Sequence, residues 1–383
     1  MYIERMEKLQ DKLRSHDWHG MILCQNVDLF YLTGSMQAGY LYVPAKGEPV
    51  FFVRRSVLRA QQESAVRVVE WTGMRAFQQQ LAIDSGTIAL EFDVLPVQQF
   101  VRLQQAFPNV DWVDGSALIR ELRSRKSPAE IASIERAATV VDEAFSAAMT
   151  ELRPGMSELQ LLCLIEQQLR ASGHLGPMRM RALNQEIFTG LVGAGASGAV
   201  PTYFDGPAGG SGLSPAFPQS ASHHLIQVGE PILIDVGCNI DGYIIDQTRT
   251  VVIGSLPEKL QLAYDLAAAI LFELETMLKP GATCESLHTH ALARAEEVAL
   301  AMHFMGYGAD RAKFIGHGIG LEVDEWPVLA KGVKGELQTG MVIALEPKFC
   351  FPDLGVVGIE DSYLITEDGF RRLTRTQQKL FTV

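Results

Sequence analysis

Four carboxylates and one imidazole stand out by residue type and position. Asp235 follows the apolar run Pro231-Ile-Leu-Ile234, and Asp246 follows it across Asp241-Gly242, a dipeptide that favours a tight hairpin turn, so the two acids can share one face of a hairpin. Two carboxylates so placed repel each other, and beside so apolar a strand they are costly unless a proton or cation intervenes. Taken alone, this pair reads as a turn-capping aspartate and a surface residue. Glu346 and Glu360 repeat the arrangement, one after Met341 to Leu345 and one after Val356-Val-Gly-Ile359, with Pro352-Asp-Leu-Gly355 as the turn between; their bland reading is a pair of strand ends meeting solvent. His317 lies in Gly316-His-Gly-Ile-Gly320, where small neighbours allow a ligand or another backbone to come close.

Together the five residues change the balance. An oxygen-rich set with one nitrogen and no thiolate suits a pair of divalent ions such as Mn, Co, Zn or Fe, and does not suit a structural zinc site, which prefers Cys and His. Two such ions activate a bridging water and polarise a carbonyl in one step, which is hydrolase chemistry.

Positioning these residues needs a sheet of short strands flanked by helices. The stretch to about Gly115 alternates short apolar runs (Met21 to Cys24, Val50 to Val53, Val66 to Trp71, Thr87 to Glu91, Val110 to Val113) with polar or helical segments, the pattern of a small mixed α/β domain. The basic stretch Arg123-Ser-Arg-Lys-Ser-Pro128 marks the boundary, giving domains of residues 1–122 and 123–383. Ser127 with Pro128 and Glu130 signals a helix start, and Ile131, Ile134, Ala138, Val141, Phe145 and Ala148 keep the spacing of one helical face until Pro154-Gly155. Leu152-Arg-Pro-Gly155 and Leu278-Lys-Pro-Gly281 each follow a helical pattern and precede a fresh capping residue, Ser157 or Thr283, which points to two related halves. Strand patterns follow each unit, so the second domain is predicted as α+β, a curved antiparallel sheet flanked by helices. The glycine-rich stretches 193–198 and 206–215 read as a long loop lacking a phosphate-loop lysine or a dinucleotide spacing.

Composition supplies exclusions. The 383 residues carry a net charge of −12, which speaks against unaided binding to nucleic acid or an anionic membrane. Five scattered cysteines with no CxxC pair fit reduced thiols. The first eight residues carry charge where a secretory signal needs an apolar core, and no apolar run approaches the roughly 18 residues of a membrane span, so a soluble cytoplasmic protein is expected.

The motifs resemble the pita-bread metallopeptidases, the family of methionine aminopeptidase, aminopeptidase P and prolidase. The resemblance rests on Ile234-Asp-Val-Gly237 with Gly242-Tyr-Ile-Ile-Asp-Gln-Thr-Arg-Thr250, on Gly316 to Val323, on Ala344-Leu-Glu-Pro347 and on Gly358-Ile-Glu-Asp361; Asp28 to Gly34 and Arg123 to Ile131 resemble the creatinase/prolidase N-terminal domain and its junction. It implies that Asp246 and Glu360 bridge two metals, that Asp235 completes one, and that His317 and Glu346 complete the other, with Glu346 also placed to take a proton from the attacking water. It further implies a homodimer in which the N-terminal domain shapes the partner's active site.

Three departures bear on substrate. Pro201-Thr202-Tyr203 stands where relatives carry a His-Tyr pair, Asp324 stands where a second substrate histidine is expected, and Gly358 replaces an arginine. Losing both histidines weakens stabilisation of a developing oxyanion, where one donor is worth ~10²–10³ in rate. Thr202, Tyr203 and Asp324 are the candidate replacements. Asp324 either favours a cationic substrate group or pairs with a neighbouring Arg or Lys. The implied function is an Xaa-Pro aminopeptidase or dipeptidase acting on short peptides. The alternatives are a non-peptidase enzyme on the same fold acting on a small cationic substrate, creatinase-like or a sulfonium-compound lyase, and a non-catalytic binding module, which has no reason to gather such a cation site.

Overall fold

The computed structural model describes residues 2–383, and the chain divides into two compact units, one ending at Arg123 and also taking in Arg181–Leu183, the other formed by Ser124–Met180 and Asn184–Val383. The first unit is built on a six-stranded mixed sheet in the order Arg67–Glu70, Val50–Val53, Gly39–Pro44, Gly20–Leu23, Gly86–Leu90, Val110–Asp114. All five strands read from the sequence are present within a residue or two of their expected ends; Gly39–Pro44 was not among them. Its alternating burial, with Tyr40, Leu41 and Val43 inside, lets it pair antiparallel with both Gly20–Leu23 and Val50–Val53.

The second unit opens on the helix Pro128–Glu151, where the Glu130 carboxylate accepts from the Ser127 backbone N–H (2.9 Å) and hydroxyl (2.7 Å). Ile134, Ala138, Val141, Phe145 and Ala148 are buried as their spacing requires, and Ile131 is half-buried at the first turn. Two helix pairs, Pro128–Glu151 with Glu158–Ala171 and Glu258–Met277 with Cys284–Glu297, each turn through Pro-Gly. In each second helix a hydroxyl caps the start: Ser157 Oγ accepts from Gln160 N at 3.1 Å and Thr283 Oγ1 from Ser286 N at 3.2 Å. Each pair is followed by a largely antiparallel sheet, one of four strands built around Pro231–Ile240 and Tyr243–Val252, one of five built around Phe314–Gly318, Val342–Leu345 and Asp361–Ile365.

The stretch 193–198 departs from the expected loop. It ends the strand Gly190–Ala194 and makes one short helical turn, because Gly193 and Gly198 pass so close that a Cβ on the first would lie 2.6 Å from the second's Cα. The region 206–215 holds no helix or strand, as its composition suggests.

Candidate metal centre

The hairpin Pro231–Ile240/Tyr243–Val252 turns through Asp241 and Gly242, both at positive φ (54° and 92°), the geometry of a two-residue primed turn. Its register pairs Gly237 with Asp246 and Asp235 with Thr248, so the two aspartates lie diagonally on one face. The second pair of acids is brought to this face by a bridge between Thr248 and Glu360, with Glu360 N donating to Thr248 O at 3.1 Å and Thr248 Oγ1 to Glu360 Oε2 at 2.7 Å. Arg249, with no exposed surface, braces the junction from behind. Its guanidinium donates to Glu360 O (2.6 Å), Thr248 O (2.8 Å) and Asp361 Oδ1 (2.7 Å).

Asp235, Asp246, His317, Glu346, Glu360, Thr202 and Asp324 all line one cavity of about 80 Å³. Tyr203 does not line it and is 48% exposed. Thr202 Oγ1 is buried without a hydrogen-bond partner among the described residues. Thr202 also lines a neighbouring cavity of about 310 Å³, separated from the first by the segment Phe204 to Gly209.

His317 is oriented by its backbone surroundings. Nδ1 lies 3.0 Å from Val323 O and 3.1 Å from Gly318 O, so it carries the proton, and in the neutral imidazole Nε2 is the electron-pair donor facing the acids. Asp324 lies 3.5 Å from His317 Nδ1, which makes it a neighbour of the imidazole. Burial opposes charge on His317, but Asp324, Glu346 and Glu360 outweigh it and raise its pKa above the usual range.

Asp246, His317 and Glu360 each offer a ligand atom, and the three atoms lie within 4.8 Å of one another. Glu360 Oε1 is buried with no hydrogen-bond partner among the described residues. Burial, then the charges of Glu360 and Asp235, hold the Asp246 carboxyl well above its ordinary pKa, and burial pushes Glu360 up to about 7. Such a set wants a cation, and its carboxylate and imidazole donors fit a divalent ion.

The sequence reading missed Lys348. Its ammonium, 1% exposed, donates to Glu346 Oε2 at 2.7 Å, Asp235 Oδ2 at 2.9 Å and Glu360 Oε2 at 3.0 Å. Burial disfavours its charge, but Asp235, Glu346 and Glu360 outweigh that and hold its pKa well above normal. Glu346 therefore offers Oε1 alone to the cavity, 3.7 Å from His317 Nε2. A signal existed: a lone lysine opening the strand that continues as the apolar run Phe349-Cys-Phe351, two residues after a candidate ligand.

Comparison with known proteins agrees with this geometry. Residues 132–367 match the metallopeptidase family M24 and residues 5–125 match the creatinase/prolidase N-terminal domain. The Xaa-Pro dipeptidase of Pyrococcus horikoshii is 27% identical over 380 residues, covering 98% of each chain, and that of Lactobacillus helveticus is 30% identical over 298 residues, covering 78% of this chain and 73% of its own. The crystal structure of the prolidase from Pyrococcus horikoshii OT3 superposes with a TM-score of 0.84 at 26% identity, covering 99% of this chain and 100% of that one. The two helix pairs and their sheets are the two halves of the pita-bread fold, and the chain belongs to metallopeptidase family M24 with a creatinase/prolidase-type N-terminal domain.

Proposed function

We propose that this chain is a metal-dependent hydrolase that removes the N-terminal residue from short peptides with proline in second place, as its relatives named Xaa-Pro dipeptidases do. The observation that carries the reading is the convergence of Asp235, Asp246, His317, Glu346 and Glu360 on one buried cavity in a chain alignable with those relatives over almost its whole length. Asp246, His317 and Glu360 would hold the divalent ion, Mn, Co, Zn or Fe, which when bound supplies a Lewis acid and an activated water. The chain's own residues do the rest. Glu346 presents Oε1 beside His317 to receive a proton, and Thr202 offers the cavity a hydroxyl that no other described residue engages.

A second reading has its own observation. Asp324 stands beside His317 and lines the cavity, so it adds negative charge near the site, which favours a small cationic substrate and a non-peptidase reaction on the same fold. The discriminating experiment strips the protein, reloads it with each ion, and assays Xaa-Pro dipeptides and longer Xaa-Pro peptides beside small cationic substrates. Metal-dependent release of the N-terminal residue supports the peptidase. Ion binding without peptide cleavage, and turnover of a small cation, supports the second reading.

The catalytic part is proposed as residues 123–383, acting within a cytoplasmic homodimer. Support for the dimer is the family resemblance, and sedimentation equilibrium tests it. Among the described residues no helix is long and apolar enough to cross a membrane.

A further inference from the structure

Lys348 puts a fixed positive charge inside the acidic centre. An ammonium has three N–H donors and no acceptor, and here each donor meets a carboxylate, at 2.7, 2.9 and 3.0 Å. Nothing is left over for a substrate, so the group acts as a charge and not as a base or nucleophile. The acids it engages are the informative part. Asp235 and Glu346 each commit an oxygen to it, and so does one oxygen of Glu360, whereas Asp246, His317 and the other oxygen of Glu360 make no contact with it.

The chain makes room for this arrangement. Lys348 and Gly358 stand directly opposite in the hairpin Lys348–Phe351/Gly355–Gly358, and a Cβ at Gly358 would lie 2.5 Å from Lys348 Cγ and 2.7 Å from Pro347 O. The backbone of Gly358 is ordinary, so glycine serves here by leaving space for the lysine stem. Charge argues the same way. Four carboxylates against one ammonium leave a strongly negative centre that attracts one divalent ion. A second ion would have to take carboxylate oxygens already bonded to Lys348 and sit beside its charge.

We propose that Lys348 replaces one of the two divalent ions, so that this chain takes a single ion, held by Asp246, His317 and Glu360, beside a permanent internal ammonium. Lys348 is then a positioning residue. It holds Asp235, Glu346 and Glu360 in place with or without metal. The proposal rests on reading the cavity as a cation site and does not depend on which bond is hydrolysed.

The test is metal counting on the full-length protein, dialysed against excess Mn²⁺ and then against metal-free buffer, with bound manganese measured by elemental analysis and its electron paramagnetic resonance spectrum recorded. The wild-type chain is expected to retain one ion with the spectrum of isolated Mn²⁺. Lys348→Ala is expected to retain two, with an exchange-coupled spectrum, and Lys348→Met, which keeps the stem's bulk and removes the charge, is expected to retain at least the one ion held by Asp246, His317 and Glu360. Two ions in the wild type, or a single isolated ion in a folded Lys348→Ala protein, overturns the proposal. No ion in either chain overturns it together with the metal-dependent reading, while one ion without peptide cleavage leaves it standing and strikes the peptidase reading alone. Should Lys348→Ala fail to fold, the wild-type count and spectrum decide by themselves.

Discussion

Each unit of this molecule buries a cluster of acids around basic side chains, and the two clusters are balanced differently. In the N-terminal unit Asp28 accepts from Arg123 Nη1 at 2.8 Å and from Arg181 Nη1 at 2.6 Å, while Arg181 clasps Asp93 through Nε and Nη2 at 2.6 and 2.9 Å. Glu91 Oε2 is occupied by the Cys24 and Gln25 backbone N–H groups at 2.7 and 3.1 Å. Three carboxylates there face two guanidiniums, and a bidentate clamp fixes their geometry. At the metal centre four carboxylates face one ammonium, and a buried oxygen of Glu360 has no partner among the described residues. The first cluster is near charge balance with its own residues and has the character of a brace. The second is left short of positive charge, which is what a cation-binding site requires.

The comparison breaks if the clusters respond alike to losing an acid. Asp28→Ala removes the carboxylate that two buried guanidiniums share, and removing one partner of a buried ion pair costs ~3–5 kcal/mol. Urea unfolding followed by tryptophan fluorescence reads this directly, since Trp18, Trp71 and Trp112 belong to that unit. Asp246→Ala should do the reverse in metal-free protein: it relieves repulsion with Glu360 and Asp235 and leaves stability unchanged or higher. With metal present the same substitution is expected to weaken ion binding by more than the ~10–100-fold that losing a mere supporting hydrogen bond costs, as titration calorimetry measures. Unaltered metal affinity in Asp246→Ala removes that residue from the ligand set.

How much of this was legible in the sequence follows from what each feature depends on. The hairpin turn at Asp241-Gly242, the helix start at Ser127 and the four acids and imidazole were readable because local backbone chemistry and short spacing define them. The strand Gly39–Pro44 was passed over because its evidence is non-local: it pairs with neighbours on both sides, and Gly39 is needed only because Phe52 O would lie 1.9 Å from a Cβ there. Lys348 escaped for a related reason. A lysine in an apolar strand reads as an edge residue until the fold shows three acids from three separate chain segments around its ammonium. Gly358 was noted as an anomaly, but only its position opposite Lys348 gives the anomaly a cause.

That pairing yields a smaller, sharper test. Gly358→Ala pushes a methyl group against the Lys348 stem and Pro347 O, and overpacking of this kind costs ~1–3 kcal/mol. Because part of the clash is with a removable side chain, the cost should shrink when Gly358→Ala is combined with Lys348→Ala, a non-additivity that a double-mutant cycle in thermal unfolding resolves. Strict additivity would mean that glycine is needed there for the contact with Pro347 O alone.

The smallest effect concerns pH, and it separates two acids inside the N-terminal cluster. Burial works against the Asp28 carboxylate, but Arg123 and Arg181 outweigh it and hold its pKa at about 2, against an ordinary value of 3.8. A lowered native pKa gives stability that is complete above the unfolded value and lost as pH falls from 3.8 through 2. Glu91 is displaced the other way, well above its ordinary 4.5, by burial and by the charge of Asp28. Its carboxyl favours the native state while protonated, so its contribution is complete below 4.5 and is lost as pH rises above that value. Urea midpoints measured between pH 2 and 8 should therefore show Glu91→Gln flattening the limb above pH 4.5, and Asp28→Asn flattening the acid limb and also reducing the limb above pH 4.5, because it removes a charge that raises Glu91. Each change in slope is bounded at about 1.4 kcal/mol per pH unit, the limit for one proton. Glu91→Gln flattening the acid limb as fully as Asp28→Asn does would show the two carboxyls titrating as one unit, with the guanidiniums shared between them rather than committed to Asp28.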